Sequence, residues 1–239
     1  MASEISTQPH LLSPKKAALI AGFGLLGMVL TAPVAEMGLL PDLFDRDPAV
    51  MLDNIRSAPA KLILALFCFI FTFILDVVVA WAIFNLFAPG QRAFAQVTTY
   101  FRLMYTAVAI VSLGFLLAVY NLSQKEQYEA MFGLSQLQAQ VKLNYGLFRY
   151  IWEVAFYFFG IHLILVGVLA WKAYFVPKFV GIALIIAGLG YLLNNLGEYL
   201  MPDVDLSFLM ITFFGELVFM GWLLIKGWSL PSHTRNSIT

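Results

Sequence analysis

Four ionisable side chains lie inside long apolar segments of this sequence, at Asp76, Arg102, His162 and Glu216. An ionisable group in the hydrocarbon core of a membrane costs at least about 2.5 kcal/mol, so it usually faces the interior of a helix bundle and finds a partner there. Carboxylate, guanidinium and imidazole groups can bind a small charged ligand, and histidine exchanges protons near neutral pH. The four residues therefore predict a polar site inside a membrane bundle that binds a small ligand or protons.

The composition of the chain indicates that its solvent is lipid. Of its 239 residues, 61% are hydrophobic and only 12% are charged, whereas about a quarter of a globular chain is charged. The formal net charge is zero, so the chain lacks the basic field that attracts nucleic acids. We expect the lipid bilayer as a partner and no nucleic acid, and no pattern indicates an oligomeric state.

Six apolar segments are long enough to cross a hydrocarbon core of about 30 Å at about 1.5 Å per helical residue. The expected spans are residues 17–37, 60–87, 97–122, 148–171, 179–198 and 206–226. The fourth and fifth spans form a helical hairpin, and small residues in it predict close packing. These small residues are Gly160, Gly167, Gly181 and Gly188. The sequence predicts an all-α polytopic membrane protein, a bundle of six transmembrane helices forming a single domain over residues 1–239.

Two polar segments predict one or two short surface helices in the outer loops. In residues 38–59, Asp47-Pro48 is a typical helix start, because aspartate caps helices and proline suits the first helical position. In residues 123–147, apolar side chains recur every three or four positions. This period indicates a helix that lies on the membrane surface or on the bundle.

The distribution of lysine and arginine predicts the orientation. Six spans place both termini on one side of the membrane, and that side has the excess of cations. The cations are Lys15, Lys16, Arg92, Lys172, Lys178, Lys226 and Arg235. Because cytoplasmic loops carry such an excess, we expect both termini in the cytoplasm.

A second and weaker group of polar residues lies toward the opposite face of the membrane. We call it the outer polar cluster, and it consists of Glu36, Glu153, Asn194, Asn195 and Glu198. Glu153 and His162 are nine residues apart, which at about 100° per residue places them on opposite sides of one helix. The outer polar cluster is therefore distinct from the site around His162, and it is also typical of solvated helix ends.

Common metal, haem and hydrolase sites lack their signature residues. A zinc site needs at least three ligands with histidine or thiolate among them, and His162 is the one histidine inside a span, because His10 and His233 lie in the tails. Membrane cytochromes mostly use paired axial histidines, and neither G-x-S-x-G nor H-E-x-x-H occurs. We expect no metal, no cofactor and no catalytic residue.

Three motifs follow one another along the chain. They are Phe101-Arg102-Leu103, the segment from Phe159-Gly160-Ile161-His162-Leu163 to Ala187-Gly188-Leu189-Gly190-Tyr191-Leu192, and Gly215-Glu216-Leu217 with Trp222-Leu223-Leu224-Ile225-Lys226-Gly227. Together they resemble the bacterial multi-pass membrane family catalogued as domain of unknown function 4386, over nearly the whole chain. The resemblance implies a helical bundle in the bacterial cytoplasmic (inner) membrane and brings no activity. It marks Asp76, Arg102, His162 and Glu216 as positions that follow the family pattern.

Three functions are open at this point. The first is a non-enzymatic protein that binds, senses or translocates a small ligand or protons through its polar interior. The second is a membrane-embedded enzyme that acts on a lipid, with Asp76 and His162 as acid and base. The third is a structural or accessory subunit in which Asp76 and Arg102 fix the register of two helices. The lack of a catalytic motif weighs against an enzyme.

Overall fold

The computed structural model describes residues 12–201, 204 and 206–232, so His10 and His233 lie outside the described residues. Every regular element in this part of the chain is helical. The α-helices are α1 (Pro14–Pro33), α2 (Pro48–Ser57), α3 (Pro59–Gln124), α4 (Glu126–Phe132), α5 (Leu134–Lys172), α6 (Lys178–Leu200) and α7 (Phe214–Lys226). A π-helical segment, Val34–Leu39, continues α1, and 3₁₀ segments at Ser207–Phe213 and Gly227–Ser229 flank α7.

Five helical segments are long and apolar enough to cross a membrane. They are Pro14–Leu39, Pro59–Gln124, Leu134–Lys172, Lys178–Gly197 and Ile211–Ser229. The chain is therefore an all-α, multi-pass membrane protein.

Helix α3 consists of two antiparallel arms. A straight helix of its 66 residues would be about 100 Å long, about three times the thickness of a hydrocarbon core. The backbone leaves the helical region at Gln91, with φ −151° and ψ 59°. Asp76 before this break is hydrogen-bonded to Thr106 after it. The chain therefore reverses direction near Gln91, and the expected spans 60–87 and 97–122 lie in the first and second arms of α3.

Local sequence sets several helix ends. The Ser13 hydroxyl accepts a hydrogen bond from the Lys16 amide before α1, and the Asp47 carboxylate accepts one from the Ala49 amide before α2. A proline follows each cap at the first helical position. Gly133 separates α4 from α5 with a φ of 74°, a conformation that glycine adopts without strain.

Helix α5 begins earlier than the expected span 148–171. Residues 123–147 contribute the short α4 and then the first turns of α5, which starts at Leu134. Leu137 and Val141 are fully buried, so this segment packs on the bundle, the second of the two positions that its period indicates. No proline interrupts the chain between Leu134 and Lys172, and the apolar period continues into the span as one helix.

Helices α5 and α6 pack backbone to backbone. A Cβ atom at Gly188 would lie 2.5 Å from the carbonyl oxygen of Gly160, and a Cβ atom at Gly181 would lie 2.7 Å from that of Gly167. Only glycine fits such contacts, so the close packing predicted for these four glycines is confirmed. His162 lies two residues beyond Gly160, about 200° around the helix. The glycine face of α5 therefore meets α6, while His162 faces the second arm of α3.

Candidate functional site

The fold brings three of the predicted site residues into direct contact. Asp76 lies on the first arm of α3, Arg102 on the second arm and His162 on α5. Their exposed fractions are 0%, 1% and 1%. We refer to these three residues, with Thr98 and Thr106 of the second arm, as the buried network.

Asp76 and Arg102 form an ion pair between the two arms of α3. The Nη2 atom of Arg102 lies 2.5 Å from Oδ1 of Asp76, and the Thr106 hydroxyl donates to Oδ2 of the same carboxylate. Thr106 lies one helical turn after Arg102, so both donors come from one face of the second arm. Donors thus contact both oxygens of the carboxylate, as its negative charge requires.

His162 continues this chain of contacts on the other side of Arg102. Its Nε2 atom lies 3.1 Å from Arg102 Nη1, and its Nδ1 atom lies 2.9 Å from the main-chain oxygen of Thr98. A guanidinium only donates and a carbonyl only accepts, so Nε2 accepts while Nδ1 carries the proton and donates. In this network His162 is therefore a neutral imidazole. Its partners are a cation and a carbonyl, and Asp76 is not one of them.

Helix α1 and an aromatic ring complete the surroundings of Arg102. The Sδ atom of Met28 lies 3.7 Å from Nη2, and the Phe159 ring centroid lies 5.9 Å from the guanidinium carbon. Nε of Arg102 is buried without a hydrogen-bond partner in the described part of the chain. The guanidinium is thus held by α3, α5 and α1 at once, with one donor uncommitted.

Glu216 on α7 belongs to the same region, across a small cavity. Arg102, His162 and Glu216 all line this cavity. The remaining walls are apolar and come from Leu25, Ile83, Leu163, Val166, Leu184 and Phe219. The volume open to the centre of a water molecule is about 10 Å³, enough for about one water. The half-buried Glu216 carboxyl also lies next to the Tyr191 hydroxyl of α6.

Sequence reasoning missed three residues of this region. Thr106 follows Arg102 by four residues, and this spacing is a usable signal because such residues are neighbours on a helix. Thr98 contributes its main-chain carbonyl, which any residue type would supply, so no side-chain pattern could reveal it. Tyr191 comes beside Glu216 only through the packing of α6 on α7.

The outer polar cluster is divided between separate partners. Glu36, in the π-helical segment after α1, forms an ion pair with Arg149 of α5, and their side chains are 30% and 37% exposed. Glu153 of α5 accepts a hydrogen bond of 3.0 Å from the Tyr199 hydroxyl of α6. Sequence reasoning missed Arg149, although it lies four residues before Glu153 on the same helix face.

The asparagines of this cluster bond within α6 and to α5. Asn195 is buried, and its Nδ2 donates to the main-chain oxygen of Tyr191 at 2.7 Å. Its own main-chain oxygen accepts from the Tyr157 hydroxyl at 3.3 Å. Asn194 is half-buried, and the side chain of Glu198 lies outside the described part of the structure. The cluster thus consists of contacts between helices, distinct from the buried network.

Comparisons with known proteins identify relatives without assigning chemistry. The family model described as Domain of unknown function (DUF4386) matches residues 20–227. An "Uncharacterized protein" from Archaeoglobus fulgidus is 32% identical over 154 residues, which cover 64% of this chain and 78% of that protein. No solved structure matches the chain.

Proposed function

Because this chain belongs to the family described as Domain of unknown function (DUF4386), whose name carries no activity, we propose a function from the geometry of the site. The protein binds a proton on Glu216 inside the bundle, beside a fixed Asp76–Arg102–His162 network. It uses this proton for sensing or for translocation across the membrane.

The observation that carries the proposal is the size and lining of the cavity. It has room for about one water and is bounded by Arg102, His162 and Glu216. An organic ligand or a lipid headgroup is much larger than this volume, whereas a proton needs no more space. The geometry therefore favours a proton over the other small ligands that the sequence left open.

The charges of the site support the choice of Glu216. Asp76 and Arg102 neutralise each other, and His162 is a neutral acceptor. Ionisation of Glu216 therefore changes the charge of the whole group by one unit, and proton uptake reverses that change. Because charges act strongly on one another in a medium of low dielectric, such a change can bias the positions of the surrounding helices.

The alternative of an enzyme acting on a lipid has less support. It assigned acid and base roles to Asp76 and His162, yet Asp76 is engaged by Arg102 and Thr106. The two nitrogens of His162 are engaged by Arg102 and Thr98. These contacts leave neither side chain available to a substrate.

We further propose six membrane crossings, with both termini in the cytoplasm. The reversal of α3 near Gln91 supports the count, because each arm of this helix is long enough for one crossing. The excess of lysine and arginine at the end where α1 begins and α7 ends supports the orientation. The corresponding location is the cytoplasmic membrane of a bacterium, as the family resemblance implies.

Infrared difference spectroscopy of the protein in lipid tests the proton site. On acidification, wild-type protein should gain the C=O band of a protonated carboxylic acid in a water-poor environment. The Glu216→Gln variant should lack this band. Glu129→Gln is the matched control, since Glu129 is 43% exposed and paired with Arg56, and it should keep the band. An identical band in wild type and Glu216→Gln would reject Glu216 as the proton site and favour a purely structural network.

Reconstituted vesicles then separate the two uses of the proton. Under an imposed membrane potential, a proton flux that Glu216→Gln abolishes indicates translocation. Titration of Glu216 without flux indicates sensing, in which the charge change acts on the helices around the cavity.

A further inference from the structure

Six cations gather at one end of the bundle, which we call the basic end. They are Lys15, Lys16, Arg92, Lys172, Lys178 and Lys226. These residues come from the start of α1, the reversal of α3, the turn between α5 and α6, and the end of α7. Four separate parts of the sequence thus contribute charge of one sign.

Contacts between these segments show that they form one surface. The Leu12 amide donates to Oδ1 of Asn85 at 3.0 Å, which joins the start of α1 to the end of the first arm of α3. The Phe175 ring, in the α5–α6 turn, lies 6.0 Å from the Phe87 ring and 6.2 Å from the Trp222 ring. The α3 reversal, the α5–α6 turn and α7 therefore meet around Phe175.

The basic end lacks acidic partners in the described part of the chain. Its four segments, residues 12–30, 84–100, 168–185 and 220–232, contain no aspartate or glutamate. None of the four ion pairs found among the described residues involves its cations. At the opposite end, by contrast, Lys61 pairs with Asp42 and Arg56 with Glu129. An external anion is thus the complementary partner for the basic end.

Aromatic rings lie beside three of these cations. Lys15 lies 5.3 Å from the ring centroid of Trp228, Lys172 lies 5.5 Å from that of Phe94, and Lys178 lies 5.9 Å from that of Trp171. Trp171 is 44% exposed and Trp228 is 58% exposed. Exposed tryptophans are typical of the level at which headgroups meet hydrocarbon. A partner with an anionic group above apolar chains matches both the cations and the rings.

We propose that the basic end binds the headgroups of anionic phospholipids, with Lys172 and Lys178 of the α5–α6 turn as the main contacts. Both lysines are exposed, and Tyr174 between them is 95% exposed. A lysine near an anionic membrane surface favours binding about fivefold. This binding is independent of the proton site at Glu216, which lies inside the bundle.

Quenching of tryptophan fluorescence by brominated lipids tests the proposal on the full chain. The protein is placed in phosphatidylcholine vesicles that contain a small fraction of either brominated phosphatidylglycerol or brominated phosphatidylcholine. Trp171 and Trp228 report on lipids at the basic end. We expect stronger quenching by phosphatidylglycerol, and a loss of this preference of about fivefold per lysine in the Lys172→Gln/Lys178→Gln variant.

The matched control carries the same two substitutions at the opposite end. In Lys61→Gln/Lys142→Gln the preference should equal that of the wild type, and in Lys172→Arg/Lys178→Arg it should be retained, which also guards against a folding defect. Equal quenching by both lipids in the wild type would overturn the proposal. An equal loss in both glutamine variants would overturn it too, because net charge alone would then decide binding. If inorganic phosphate alone removed the preference, the basic end would recognise a free anion and the lipid assignment would be wrong.

Discussion

Two ion pairs of the same chemistry lie in different surroundings in this protein. Asp76 and Arg102 have side chains that are 0% and 2% exposed, whereas those of Glu36 and Arg149 are 30% and 37% exposed. The inner pair is held by further hydrogen bonds to Thr106 and His162, as described above. In the outer pair, Oε2 of Glu36 has no hydrogen-bond partner among the described residues.

The difference teaches that burial, more than the pairing itself, decides what such a contact does. If one member of the outer pair is removed, water can reach the other and replace part of the interaction. If one member of the inner pair is removed, a charge remains where no solvent reaches it. The inner pair also joins both arms of α3, and through His162 it reaches α5. It therefore fixes the relative positions of three transmembrane segments.

The largest effect is expected from the inner pair. Asp76→Asn leaves the Arg102 charge without its partner, and we expect a loss of about 3–5 kcal/mol in the free energy of unfolding. The measurement is unfolding of the purified protein in mixed micelles by a denaturing detergent, followed by circular dichroism. An Asp76→Asn variant that unfolds at the wild-type detergent fraction would show that the pair is dispensable.

A double variant separates the lost charge compensation from simple loss of packing. Asp76→Leu/Arg102→Met removes both charges and fills similar space, so it should recover most of the stability lost in the single variant. A double variant less stable than Asp76→Asn would mean that hydrogen bonds of the network, rather than the unpaired charge, dominate.

Sequence reasoning reached the helices because membrane crossing demands long apolar segments, and these are visible without any knowledge of packing. The four ionisable residues were also visible, since each interrupts such a segment. Depth along the helices was enough to suggest that Asp76, Arg102 and His162 could meet, and the structure places them in contact.

Other features depend on packing and were not visible. The chemistry of His162 depends on the Thr98 carbonyl, and a main-chain group leaves no mark in a sequence. The long α5 was missed because a polar segment with helical period looks the same on the membrane surface and on the bundle. The outer polar cluster seemed a single group because its members share a depth, yet their contacts are with different helices. Cavity volume, which separates a proton from a larger ligand, depends on side chains from five transmembrane segments.

An intermediate effect is expected at His162, which sharpens the comparison by leaving the inner charges paired. His162→Leu deprives Arg102 Nη1 of its acceptor and the Thr98 carbonyl of its donor, and we expect a loss of about 1–3 kcal/mol. The loss should be smaller than in Asp76→Asn because the ion pair persists. His162→Gln keeps both an acceptor and a donor, so it should lose less than His162→Leu in the same unfolding assay. Equal losses in the two variants would show that the hydrogen bonds of His162 contribute little and that its shape matters instead.

The smallest effect is expected from the outer pair. A double-mutant cycle with Glu36→Gln and Arg149→Gln should give a coupling energy of about 0.2–1 kcal/mol, because both side chains reach solvent. The coupling should also weaken as salt is added, since exposed charges are screened. The measurement is the same unfolding assay at low and high salt. If the coupling is instead salt-independent and comparable to the loss in Asp76→Asn, then partial exposure does not weaken this pair, and the π-helical segment that carries Glu36 must hold it against α5 as firmly as the inner pair is held by burial.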